Sequence, residues 1–115
     1  MKVDVYKIIG VNGITLEDGQ KIFDITHPEL IANKPVELNF DKVTVFASPF
    51  FNSAVGRLLK DIKPGDLNHL LKVSNLIPTG RVVLKRVIEN SKQYYTDENA
   101  RKALDAVLLE EAENQ

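Results

Sequence analysis

The sequence predicts an α/β domain: a mixed sheet of about four strands covered by about four helices. Three observations carry that reading. Short β-branched or alternating segments take turns along the chain with stretches of helical periodicity. Val36, Leu38 and Phe40 alternate with Glu37 and Asn39, the pattern of a strand with one apolar face. Phe51, Val55, Leu58, Leu59 and Ile62 then recur at steps of four, three, one and three, which places them on one buried helical stripe.

The elements follow in order. Val3, Val5 and Tyr6 to Ile9 read as an opening strand, ended by the turn signal "GVNG" at Gly10 to Gly13. Thr15 precedes Leu16, Glu17 and Asp18 as a capping-box-like start, with Asp18 expected to reach back. Leu16, Ile22 and Phe23 then share a helical face. Pro28 lacks an amide hydrogen and restricts His27, so "HPEL" is expected to end this helix.

Beyond "NKP" comes the strand Val36 to Phe40, expected to lie inside the sheet. Val43, Val45 and Phe46 extend it or lead toward the next helix. Ser48 is read as the N-cap of that helix and Pro49 as its first residue: the serine oxygen satisfies a free amide, and proline lacks the hydrogen that would go unpaired. "KPGD" stops the helix, and Leu67 to Val73 reads as a strand. After "NLIPTG" a helix is predicted over about Arg81 to Lys92, with Val83, Leu84, Val87 and Ile88 inward. Tyr94 and Tyr95 read as a very short strand. Thr96 caps a closing helix whose stripe is Ala100, Leu104, Val107 and Leu108. Residues 1–109 are thus expected to form one domain and 110–115 an acidic, frayed tail.

Composition narrows the function. The 115 residues are 43% hydrophobic and 27% charged, enough for one modest core. Fifteen Lys and Arg against sixteen Asp and Glu leave a net charge of −1, which supplies no general attraction to nucleic acid. The cationic face of Arg81, Lys85, Arg86 and Lys92 has Glu89 in its midst and reads as a solvated surface. No cysteine is present, and His27 and His69 belong to no metal-ligand spacing. Ser48 has no evident basic partner, and Gly10 and Gly13 make a turn rather than a phosphate loop. Neither a leader nor an apolar run of about eighteen residues is evident, so a cytoplasmic, non-catalytic protein without cofactor, metal or membrane span is expected.

The succession of a strand, "NFDKVTVFASPFFNSAVGRLLKDI", a strand, a helix and "KQYYTDENARKAL" resembles the STAS domain of bacterial anti-anti-sigma factors. It is more similar still to the STAS-like group of bacterial and phage domains of unassigned function. The resemblance covers roughly Val36 to Leu108. In anti-anti-sigma factors, a serine at the start of the helix after such a strand is phosphorylated by a partner kinase that is also the anti-sigma factor. On that pattern Asn39 and Phe40 match the strand end, Ser48 the phosphorylated serine and Gly56 a glycine of the helix. Ala47 stands where those factors carry aspartate, and Pro49 and Phe50 stand where they carry small residues.

The resemblance implies a protein-binding regulator that presents the Ser48 loop and the following helix to a protein partner of the anti-sigma kinase or ATPase kind. Ser48, Pro49, Phe50, Asn52 and Ser53 are the expected binding residues, with phosphorylation of Ser48 as the switch. The alternative is a small structural or assembly domain, a homodimer, in which Ser48 caps a helix and nothing more. Phe50 stays open between core contact and exposed anchor.

Overall fold

Val3 is the only buried residue of a first strand that spans just Lys2–Asp4 (β1). In the computed structural model, which describes residues 1–96, the chain turns directly from β1 into a helix at Val5–Ile9 (α1). The expected strand over Tyr6 to Ile9 is thereby corrected. Val5, Ile8 and Ile9 stand at i, i+3 and i+4, so one helical face turns all three inward, Val5 fully and Ile8 and Ile9 partly buried, while Tyr6 and Lys7 remain exposed. Gly10, at φ 78°, closes the helix in a conformation that favours glycine.

Asn12–Gly13 forms a brief strand (β2), and Leu16–Ile31 the helix that follows (α2). Thr15 caps α2 by accepting the Asp18 amide hydrogen at 3.1 Å. The Asp18 carboxylate does not reach back but pairs with Lys21 at 3.2 Å. α2 runs through Pro28, where it had been expected to stop. The missing amide removes a single hydrogen bond in the last turn, while Leu30 is buried just beyond it. Asn33, in the left-handed region at φ 64°, turns the chain away.

Val36–Asn39 (β3) is the central strand, as expected. Its neighbours are β1 and Leu71–Ser74 (β5), both parallel to it. Val45–Phe46 (β4) pairs in parallel with β2 in a second, two-stranded sheet. The α/β class thus holds, with the strands divided three and two and every described pairing parallel.

The apolar stripe from Phe51 to Ile62 is buried throughout, yet it is not one helix. Ser48–Ala54 (α3) ends at Val55, and Gly56–Lys60 continues as a 3₁₀ turn. Gly56 explains the break on two counts: glycine is a poor helix former, and here its lack of a side chain admits Ser91 and Val87 to close range. Pro64–Leu70 (α4) replaces the first part of the strand expected from Leu67, because Pro64 after the extended Lys63 is a helix-opening pair. Pro78–Thr96 (α5) begins earlier than expected and passes through Tyr94 and Tyr95, which are therefore helical rather than a strand. The closing helix expected at Ala100 to Leu108, and the tail, lie outside the described residues.

Strand alternation divides the three-stranded sheet into unlike faces. Val36 and Leu38 point into the core, where Phe40, Phe50 and Phe51 are fully buried with ring centroids 5.2 to 6.5 Å apart. The other face carries Lys2, Glu37 and Lys72 in one row across three strands, and Asp4, Asn39 and Ser74 in the next. Helices cover one side of this sheet, and its polar side meets water.

Candidate functional site

Ala47, not Ser48, occupies the N-cap of α3, with extended backbone at φ −140° and ψ 154°. Ser48 and Pro49 are its first two helical residues. The capping reading of Ser48 is thereby corrected: the residue is half-buried, and its hydroxyl makes no hydrogen bond among the described residues. The residue's position is set from behind. The Ala47 amide donates to the Gly13 carbonyl at 2.9 Å, and β4 pairs with β2, so the start of α3 is fastened to the turn after α1.

From Ser48 onward the helix divides cleanly. Phe50 and Phe51 are both buried, Phe50 against Phe40 and Phe51 stacked on Phe46 at 5.5 Å. Ser53 is also buried and donates from Oγ to the Leu16 carbonyl at 2.8 Å, tying α3 to the start of α2. Gly19 permits that approach: a methyl group there would collide with the Phe50 carbonyl oxygen and Ser53 Oγ. Phe50 and Ser53 consequently hold the helix in place and present nothing to a partner. Ser48, Pro49 and Asn52 make up the accessible part of the expected set, with Ser48 and Asn52 one helical turn apart.

Asn52 also opens onto a cleft of about 450 Å³ between α3, the start of α2 and the end of α5. Leu16, Arg57, Asn90, Tyr94 and Tyr95 line it. The two tyrosine rings meet edge to face at 4.9 Å, while the Arg57 guanidinium lies 4.3 Å from the Phe23 ring centroid and donates to Gln20. Tyr and Arg are the residue types that carry much of the energy in protein interfaces. Sequence reasoning missed this cleft, since its walls come from positions as far apart as 16 and 95 with no local pattern joining them.

Glu37 sits in the polar row of the sheet. It accepts from Ser74 Oγ at 2.9 Å and faces Lys72 at 3.8 Å and Lys2 at 3.9 Å. The Ser74 hydrogen bond, aided by the two lysines, holds its carboxyl below the usual carboxylate range against the opposing effect of partial burial. At the ends of β3 and β5, Asn39 Oδ1 accepts both the Asp41 amide at 3.1 Å and Asn75 Nδ2 at 2.8 Å. Among the described residues no group of three or more His, Asp or Glu is placed to hold a metal ion, and no helix is long and apolar enough to cross a membrane.

A family model described as a STAS-like domain of unknown function (DUF4325) matches residues 18–81, more than half of the chain. The chain belongs to this STAS-like family. The matched segment of the STAS-like domain runs from the first turn of α2 to that of α5 and contains Ser48, Asn52 and Arg57. No curated protein and no solved structure matches the chain.

Proposed function

We propose that this STAS-like domain is a non-catalytic regulator that binds another protein through the exposed side of α3, with phosphorylation of Ser48 as its switch. One observation carries the reading. Ser48 is half-buried and its hydroxyl makes no hydrogen bond among the described residues, while its neighbours Phe50, Phe51 and Ser53 are sunk in the core. A residue without a structural bond is available for chemistry on its oxygen, and the rigid anchoring beneath it keeps its position constant. A phosphate there would add charge beside Pro49 and Asn52 without removing a bond from the domain. The resemblance to anti-anti-sigma factors supports a partner of the anti-sigma kinase or ATPase type.

Capture from the native cell with the tagged domain, followed by binding constants for wild type, Ser48→Ala and Ser48→Asp, tests this reading. Expected is a protein whose affinity for Ser48→Asp differs at least ~10-fold from that for Ser48→Ala. A phosphate on Ser48 should also appear in the intact mass of protein from the cell. Equal affinities together with an unmodified mass would overturn the switch.

A further inference from the structure

Among the described residues that line the cleft beside α3, Arg57 is the only charged side chain. It is exposed, yet it is held at two points: its guanidinium lies over the Phe23 ring and donates to Gln20 Oε1. Gln20 can accept there because its Nε2 donates the other way, to Asp24 Oδ1 at 2.7 Å, which sets the orientation of the amide. No carboxylate lies within ion-pair distance of Arg57 among the described residues. An arginine held by a ring and a neutral amide keeps its charge uncompensated and most of its five donors free. Being held in advance, it also has less side-chain entropy to lose when a ligand arrives.

The surroundings of Arg57 narrow what that ligand is. Asn52 on α3 and Asn90 on α5 line the same cleft, and their side-chain amides make no hydrogen bond among the described residues. Each can both donate and accept, as a peptide unit requires. Leu16 keeps 55% of its surface in water at the start of α2, where the Ser53 bond to its carbonyl fixes the backbone. Charge favours carboxylate over phosphate: one arginine matches a carboxylate, whereas phosphate is ordinarily met by a cluster of cations. A donor fork, two amides and an apolar side chain around about 450 Å³ fit a short acidic stretch of polypeptide. Asn52 belongs also to the exposed side of α3, one turn from Ser48, so the cleft continues the surface assigned to the partner.

We propose that this cleft receives an acidic peptide segment of the protein partner, which sets a glutamate or aspartate carboxylate on Arg57 and an apolar neighbour on Leu16. The proposal rests on the reading of α3 as a partner surface and adds the chemistry of what docks there.

The probe is a capped leucyl-glutamyl-leucine tripeptide, titrated into the isotope-labelled full chain and followed by NMR. It should shift the side-chain N–H signals of Arg57, Asn52 and Asn90 and bind at least ~5-fold more tightly than the same tripeptide with glutamine in place of glutamate. Arg57→Gln should abolish that preference, and Arg57→Lys should keep only part of it, because lysine offers a point charge in place of the fork. Lys7→Gln, which removes an exposed cation from α1 outside the cleft, should leave the preference whole. No shift at about 10 mM glutamate tripeptide, equal affinity for the two tripeptides, or a preference that survives Arg57→Gln would each overturn the proposal. Inorganic phosphate binding more tightly than the glutamate tripeptide would overturn it too, by assigning the cleft to phosphate. The Ser48 switch is read on the captured partner and the Arg57 anchor on the tripeptide, so the failure of one is distinct from the failure of the other.

Discussion

Ser48 and Phe50 are two residues apart and answer to opposite tests. Because Ser48 makes no cap, Ser48→Ala should change stability by no more than about 0.5 kcal/mol, the ordinary scale for a surface site, rather than by the larger cost of a lost capping bond. Chemical denaturation of the two proteins measures the difference. A loss above that range would return the residue to a structural role. Phe50→Ala should lose about 3 to 5 kcal/mol, since it empties a ring-sized space between Phe40 and Phe51. Any loss of partner binding by that variant must be read at equal folded fraction.

Between elements, the contact of α2 with α3 is the most extensive among the described residues and depends on Gly19. Gly19→Ala should cost about 1 to 3 kcal/mol, because the added methyl meets the Phe50 carbonyl oxygen of the backbone as well as the buried Ser53 Oγ. A thermal midpoint equal to wild type would mean that the helices can separate without penalty. The Lys2–Glu37–Lys72 row has a pH signature. Glu37 titrates below its unfolded value, so its contribution is complete above the unfolded carboxyl pKa and disappears as pH falls through the lowered folded value. Glu37→Gln should therefore flatten part of the acid limb of a stability curve and leave the neutral-pH ordering of other variants alone. An acid limb identical to wild type would count against the row.

The elements also show where local pattern suffices. The apolar faces of β3 and of the Phe51 to Ile62 stripe follow from residue spacing, as does the Thr15 cap, and these were legible. Whether the stripe is one helix or two depends on Gly56, whose poor helix propensity is a local hint but whose contact with Ser91, 35 positions distant, no local pattern encodes. The same holds for Ser48. Ser-Pro fits N-cap and N1 as well as it fits N1 and N2, and the register was decided by the Ala47 amide bonding to Gly13. Family likeness directs attention to α3, but the burial of Phe50 and Ser53 arises from packing on α2 and Phe40.

At the level of the whole molecule, β3 joins two strands that have no other partners in its sheet among the described residues, and its apolar residues lie beneath the helices. Amide exchange should therefore be slowest at Leu38 and its neighbours and faster in β1 and β5. Exchange in native buffer, followed residue by residue by NMR, checks the order, and a slowest region in α5 would contradict it.

The strap from Gly13 to Ala47 has a practical bearing on where this domain begins. Family matching starts at residue 18, whereas the hydrogen bond that orients the entry to α3 originates five positions earlier, and β1 supplies one flank of β3. A chain trimmed to residues 18–81 would keep every side chain of the α3 surface while discarding the anchor that aims it. The segment that the family model matches and the segment that these bonds join are therefore different lengths of polypeptide. Isolated residues 18–81 should give broad, poorly dispersed NMR spectra, and restoring residues 1–17 together with the rest of α5 should recover the dispersion of the complete chain.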